Sequence, residues 1–208
     1  MKGIIALCLV AALAGCSAKQ VRPEVSSNTI YRTPIDGATA QLVLPESFQR
    51  KVITQKPTYG NAWAIYNFDV HIGESIGKAL VADMRSRMPS ARIGNIDDGK
   101  PATVRVTPGD VTLEFGVDDG TAMKYGMAFG VLAMGSDVIV GAKVKVRASI
   151  VTGDGRSENV DVLGLGAVPT AFLTIRESDI DKAVGLAIED AAKKLGDISE
   201  AKARAASS

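Results

Sequence analysis

The clearest pattern in the sequence is an alternation of apolar and polar positions over residues 136–151. The apolar positions are Val138, Val140, Val144, Val146 and Ile150. The positions between them include Lys143, Lys145, Arg147 and Ser149. Because successive side chains of a strand point to opposite faces, the pattern predicts a strand with one buried and one wet face, typical of an antiparallel sheet. The run TGDG at 152–155 predicts a turn, after which SENVDVLGLGA pairs back as the next strand.

Three further strands are predicted upstream. TAQLVL (39–44) is one, and NAWAIYNFDV (61–70) is another, apolar on both faces and therefore central in its sheet. In ATVRVTPGDVTLEFGV (102–117), the apolar residues change from even to odd positions on either side of Pro108-Gly109. A strand cannot keep both sets on one face without a phase shift, so we expect a bulge at that dipeptide.

Two segments have the helical period. In 72–88, apolar residues recur every four positions, and Pro89 prevents continuation. In 178–195, Ser178 is a good N-cap with Asp181 three residues later. Gly196 is placed to be the C′ residue, and the polar end, 199–208, is expected to be frayed. The apolar stripes are Ile72, Ile76, Leu80, Met84 and Met88 in the first helix, and Ile180, Val184, Ala187, Ile188, Ala191 and Leu195 in the second.

Together these elements predict an α+β fold. It consists of a mostly antiparallel sheet with two amphipathic helices packed on one face, in the order ββα(β)3-4α. The pattern shows no internal repeat and no second domain, so residues 39–198 form a single domain.

The first residues have a different composition. Lys2 precedes an apolar run of about eleven residues, which is too short for a transmembrane helix of about 20 residues and fits a signal peptide over 1–15. The run ends at Leu13-Ala14-Gly15-Cys16, which resembles the lipobox of bacterial lipoproteins. The resemblance implies cleavage before Cys16 and acylation of that residue, so that lipid chains anchor the protein without spanning the membrane. A plain secretory signal with a chance cysteine is the alternative.

Residues 16–38 are interpreted as the lipidated cysteine and a flexible tether. The segment has little apolar pattern and contains Pro23, Pro34 and Gly37. About twenty flexible residues reach roughly 25 Å, which would let the domain hang clear of the membrane. Alternatively, Ile30-Tyr31 pins part of the segment to the domain. Ser17 is not the Asp that retains enteric lipoproteins at the inner membrane, which favours the outer membrane.

Composition narrows the function. The chain has two cysteines, of which Cys8 lies in the signal, so a mature protein acylated at Cys16 has no disulfide. The chain has 24 Lys and Arg against 23 Asp and Glu, so its net charge of +1 offers no electrostatic argument for nucleic acid. No second apolar run is long enough to span a membrane.

Candidate chemistry is sparse. His71 is the only histidine, no G-x-S-x-G motif occurs, and a boundary residue between strand and helix is the favoured interpretation of His71. The Asp-Gly runs at 97–99, 118–120 and 153–155 lack the ligand spacing of a calcium loop and are typical of turns. Gly164 and Gly166 form only an isolated G-x-G. We therefore expect no enzyme activity, metal or cofactor.

One stretch, TAMKYGMAFGVLAMGS (121–136), is unusually apolar for a connection between strands. It could be two strand ends that meet in the core, or an exposed element that contacts a partner or a lipid. A second candidate is AVPTAFLTI (167–175). The candidate contact residues are Met123, Tyr125, Met127, Phe129, Leu132, Met134, Phe172 and Leu173.

The order of elements resembles YajG-type lipoproteins and, more distantly, the auxiliary lipoproteins of envelope lipid-transport systems. The residues that carry the likeness are IGESIGKALVADM, TGDGRSENVDVLGLGA and SDIDKAVGLAIEDAAKKL. The group that it resembles has no established catalytic residues to carry over. The lipid anchor, the tether and a module without catalytic groups favour a lipoprotein of the outer membrane that faces the periplasm and serves as an accessory or binding subunit of an envelope assembly. A lipoprotein that binds a hydrophobic ligand or lipid through 121–136 is the alternative. An envelope protein is the expected partner, and the oligomeric state stays open.

Overall fold

A computed structural model describes residues 18–26, 34–35, 37–60, 63–118, 137–171 and 174–206 of the 208. The strands are β1 (Lys19–Val21), β2 (Ala40–Val43), β3 (Ile53–Gln55), β4 (Phe68–Val70), β5 (Arg92–Gly94), β6 (Val104–Asp118), β7 (Asp137–Thr152) and β8 (Ser157–Ala171). The helices are α1 (Glu46–Gln49), α2 (Ile72–Arg87) and α3 (Glu177–Ala206).

The fold is α+β, as the sequence predicts. A five-stranded sheet has the order β5-β2-β6-β7-β8, and a three-stranded sheet has the order β1-β4-β3. The long strands β6, β7 and β8 pair antiparallel, whereas the short β2 runs parallel to both β5 and β6. The sheets are therefore mixed, although their longest ladders are antiparallel.

The patterns over the long strands are confirmed. The even-numbered apolar residues of β7 are buried and the charged residues between them are exposed. The β6–β7 register shifts between Pro108 and Val111, where the bulge is expected. After the shift Val111, Leu113 and Phe115 are buried, so the extra residue returns the apolar set to the core.

The prediction of a strand over 61–70 is confirmed only at its end. Of the described residues 63–70, Phe68–Val70 is strand, and it is the central strand of its sheet, as expected. Residues 63–67 are not strand, because the backbone N–H of Tyr66 donates to the Trp63 carbonyl, 2.9 Å away, and closes a turn. Ile65 is 78% exposed, so its apolar side chain does not enter the core.

The closing helix is longer than predicted at both ends. It begins at Glu177, and the Asp179 carboxylate, rather than that of Asp181, accepts a hydrogen bond at the helix start, from the Arg176 N–H at 2.8 Å. It continues through Gly196, and the supposedly frayed end is helical to Ala206. Gly196 is a packing residue, because an added Cβ would lie 1.8 Å from Asp83 Oδ2 and 2.6 Å from Arg87 Nε.

The two long helices are joined by a buried arginine. Arg87 of α2 is 1% exposed and binds the carboxylates of Asp83, Asp197 and Glu200 at 2.7–2.8 Å. Burial alone would lower the pKa of Arg87, but these carboxylates outweigh it and raise that pKa above its ordinary value. The guanidinium is therefore a fixed charge that holds α2 against α3.

The helix α3 approaches the sheet at two glycines of β8. A Cβ on Gly164 would lie 1.9 Å from the Ala187 carbonyl oxygen, and one on Gly166 would lie 1.9 Å from that of Ala183. The G-x-G of the sequence is thus a packing motif, in which strand and helix backbones touch with no side chain between them.

We expect Gly166→Ala to lower the free energy of unfolding by about 1–3 kcal/mol, because the methyl group would force α3 away from β8. Urea unfolding monitored by circular dichroism measures the change. Gly109→Ala is the matched strand control, since its Cβ would lie 3.6 Å from the nearest atom, the Arg147 carbonyl oxygen. Equal losses in the two variants would disprove the close contact at Gly166.

Candidate functional site

The predicted site residues lie outside the described residues. This holds for Cys16, for Met123, Tyr125, Met127, Phe129, Leu132 and Met134, and for Phe172 and Leu173. Their flanking residues are described and share one end of the large sheet. Asp118 pairs with Ile139, and Asp137 pairs with Ala171. Both predicted contact segments therefore start from the same end, which we call the 118–137 end.

Residues 18–26, which we call the N-terminal strap, pack on the folded domain. Lys19–Val21 forms β1, parallel to β4. The His71 N–H donates to the Val21 carbonyl at 3.0 Å, and the Ser75 hydroxyl donates to the Pro23 carbonyl at 2.8 Å. Val21 is 1% exposed, so it belongs to the core.

The strap also crosses α3. The Arg22 N–H donates to the Asp181 carboxylate at 3.1 Å, and the Ser26 hydroxyl donates to the Glu189 carboxylate at 2.8 Å. Between these contacts the Glu24 carbonyl oxygen passes so close to α3 that a Cβ added to Gly185 would lie only 2.3 Å from it. Gly185 thus leaves the space through which the strap passes.

The contact with the strap changes the pKa of the Asp181 carboxyl. Burial raises the pKa of the Asp181 carboxyl, which the hydrogen bond from Arg22 opposes and the nearby charges of Glu24 and Glu177 reinforce. The sequence pattern suggested a capping role for this residue, but its carboxylate binds the strap.

The strap changes the picture of the anchor. The prediction of a flexible tether is wrong for residues 18–26, since they form a strand and hydrogen-bond to both long helices. Cys16 precedes Lys19 by three residues. Three residues of fully extended chain span at most about 10 Å, so Cys16 lies within that distance of the folded surface.

Lys19 connects the start of the strap to the 63–66 turn. Its backbone N–H donates to the Asn67 carbonyl at 2.8 Å, and its ammonium lies 4.5 Å from the centre of the Tyr66 ring. The same ammonium forms an ion pair with Glu177, the first residue of α3. The turn, the strap and the start of α3 therefore meet at one point.

His71 is a satisfied boundary residue, as the sequence favoured. Its Nε2 lies 2.8 Å from the Gln20 side-chain oxygen, and the Gln20 amide donates to the Asp69 carboxylate at 2.8 Å. Thr54 donates to the other oxygen of Asp69 at 2.6 Å. Hydrogen bonds from Thr54 and Gln20, with the charge of His71, lower the pKa of the Asp69 carboxyl. The network ties β1 to β3 and β4.

Contacts from outside the large sheet bond backbone groups of the edge strand β8 and of β6 beyond its pairing with β2. On β8, the Leu165 N–H donates to the Asp190 carboxylate at 2.9 Å, and the Lys194 ammonium donates to the Leu163 carbonyl at 2.7 Å. On β6, the Thr58 N–H donates to the Phe115 carbonyl at 2.7 Å. These contacts occupy backbone groups that an added strand would need.

On the sheet face opposite the helices, the Tyr59 side chain lies against Gly116 and Gly141. The rest of this face is exposed among the described residues, and we call it the open face. Glu114 pairs with Lys143 across β6 and β7 at 3.7 Å, and Asp161 pairs with Lys145 at 2.8 Å. Beside these balanced charges, apolar side chains are about half exposed. They are Ile139 (50%), Leu163 (47%) and Leu165 (54%).

The largest concavities in the described part of the chain are open grooves. One of about 590 Å³ runs between α2, α3 and the edge of β8, and Asp83, Glu189, Asp190 and Lys193 line it. These four ionisable groups lie among apolar residues of the lining, such as Leu165 and Leu186. Among the described residues, no group of three His, Cys, Asp or Glu side chains could hold a metal ion. No described helix is long and apolar enough to cross a membrane.

Comparisons with known proteins give partial likenesses only. No protein-family model matches the chain, and no curated protein is significantly similar to it. A Xanthomonas campestris protein of the DUF330 family shares 13% identity over 91% of this chain and 99% of its own, with a TM-score of 0.49. A minor lipoprotein from Acinetobacter baumannii shares 10% identity over 80% of this chain and 95% of its own, with a TM-score of 0.44. At TM-scores below 0.5, neither likeness transfers a fold or a function.

We expect Gly185→Ala to loosen the strap, because the new methyl group would occupy the position of the Glu24 carbonyl. Backbone amides of residues 19–24 should then exchange with deuterium faster while those of β7 are unchanged, which mass spectrometry measures peptide by peptide. Gly77→Ala is the helix control, since its Cβ would meet only the Leu44 side chain at 3.6 Å. Unchanged exchange in Gly185→Ala would mean that the strap is not held at this helix.

Proposed function

We propose that this protein is an outer-membrane lipoprotein that faces the periplasm and serves as a non-catalytic accessory or binding subunit of a cell-envelope assembly. The observation that carries the proposal is the lipobox-like Leu13-Ala14-Gly15-Cys16, followed three residues later by a strand of the folded domain. Acylation of Cys16 would therefore attach a rigid module directly to the bilayer rather than through a long linker.

The non-catalytic role rests on what the candidate groups do. The one histidine, His71, lies against Gln20 in a network that joins three strands, and among the described residues no serine or cysteine is hydrogen-bonded to its imidazole ring. The strongest charge cluster, around Arg87, is a buried helix clamp. These groups have structural partners, which favours binding over chemistry as the role of the module.

The open face is the surface that we assign to the envelope partner. The β8 edge is bonded by Asp190 and Lys194, so a partner that adds a strand there would first have to displace them. On the open face, Leu163 and Leu165 expose apolar area next to ion pairs. Apolar residues surrounded by polar ones are typical of protein interfaces.

The alternative is a lipoprotein that binds a hydrophobic ligand or lipid with residues 121–136. It is favoured by position, since the described residues on either side of that stretch lie at the 118–137 end, close to where the strap begins. Native mass spectrometry of the protein without its acyl chains tests the alternative. Co-purified lipid would support it, and a ligand-free mass would argue against it.

We expect the protein to incorporate labelled palmitate and the Cys16→Ser variant to incorporate none, because the thiol is the acylated group. Ser17→Ala should retain the label and serves as the control. Ser17→Asp, tested in an enteric host, should move the protein to the inner-membrane fraction of a density gradient. A wild-type chain without label would disprove the lipoprotein assignment.

We expect a photo-reactive residue at Leu163, in cells, to cross-link to one defined envelope protein. The same residue at Leu186 is the control, since Leu186 is 44% exposed, lies in α3 and lines the groove between α2, α3 and β8. Cross-linking from both positions, or from neither, would contradict the assignment of the open face.

A further inference from the structure

We propose that the 63–66 turn, with Lys19 against it, inserts into the lipid bilayer interface and fixes how the domain stands on the membrane. The partner of this surface is a lipid bilayer. The inference rests on the proposed acylation of Cys16 and adds a second, protein-borne contact with the same membrane.

The turn exposes an unusual set of side chains. Ile65 is 78% exposed, more than any other large apolar residue in the described part of the chain, and Tyr66 is 43% exposed. Residues 63–67 carry no charged side chain. A neutral apolar tip beside a tyrosine matches the composition of a membrane-interface contact, where aromatic rings lie at the level of the headgroups.

The backbone holds the tip outward. Trp63 has a φ of +57°, which is rare for a large side chain. The turn is closed by the bond between Tyr66 and the Trp63 carbonyl, and the Trp63 ring packs 6.3 Å from that of Phe68. These contacts hold the turn in a backbone conformation that leaves Ile65 exposed to solvent.

The proposed acyl chains at Cys16 place the 63–66 turn close to the bilayer. Lys19 contacts Asn67 and Tyr66 directly, and Cys16 lies at most about 10 Å from Lys19. Acyl chains on Cys16 must enter the bilayer within that distance of the turn. With the strap bonded to both long helices, the domain has little freedom to rotate the turn away from the lipid.

The charged groups next to the turn give no preference for anionic or zwitterionic lipid headgroups. Lys19 is paired with Glu177, so the point where strap, turn and α3 meet has no uncompensated cation among these groups. The contact would therefore depend on apolar insertion rather than on attraction between Lys19 and anionic headgroups.

The protein carries its own probe, since Trp63 is the only tryptophan in the sequence. The experiment uses the full-length acylated protein in phosphatidylcholine vesicles, with and without bromine at shallow positions of the acyl chains. We expect Trp63 to lose about half of its emission in the brominated vesicles, as interfacial tryptophans lie within reach of such quenchers.

Two matched variants identify the cause. Ile65→Asp should abolish most of the quenching, because a carboxylate resists insertion. Ile96→Asp should leave it unchanged. Ile96 is 71% exposed and precedes Asp97, whose carboxylate is bound to Arg105 at 2.8 Å. Arg105 lies ten residues, roughly 33 Å, along β6 from Phe115, and Phe115 packs on Phe68 next to the turn.

The outcomes separate the inference from the proposed function. Quenching that depends on Ile65 and not on Ile96 supports the inference. Equal emission in both kinds of vesicle, for protein that floats with them, overturns the inference and leaves the lipoprotein assignment intact. A chain without acyl groups removes the proposed function and this inference with it.

Discussion

The structure depends on how closely the backbone of α3 can be approached. Three neighbours of this helix meet it at a glycine. Gly166 brings β8 against it, Gly185 admits the strap, and Gly196 makes room for the Arg87 cluster. Glycine in a helix interior costs about 1 kcal/mol relative to alanine. Here the cost is offset by contacts that a side chain would exclude, so α3 joins sheet, strap and α2 in one core.

This arrangement has a direct functional consequence. An anchor followed by a flexible segment would leave a domain free to turn in any direction. Here the strap is bonded to Ser75 of α2 and Asp181 of α3, so the described chain is fixed to the module from its first residues onward. A lipid at Cys16 would then determine which end of the molecule is next to the membrane. The open face and the groove would keep a constant relation to it.

The sheet edges show how a small α+β module restricts its own associations. Side chains of Asp190 and Lys194 bind the backbone of β8, and Thr58 binds that of β6. Such coverage works against uncontrolled strand addition. What remains is a face with ion pairs and two half-exposed leucines, Leu163 and Leu165. That combination suits recognition through side chains more than through backbone pairing.

The sequence by itself determined the elements whose local pattern is strong. The alternation in β7, the phase shift at Pro108 and the period of α2 were all readable, because burial of one face imposes them directly. The roles of glycines and short segments were decided only by the tertiary structure. Gly196 has the local signature of a helix end, but a distant Arg87 decides its role. Residues 18–26 have no apolar period, yet Lys19–Val21 pairs with β4. Backbone hydrogen bonds and the buried Val21 side chain hold this extended segment, and neither leaves a periodic pattern in the sequence.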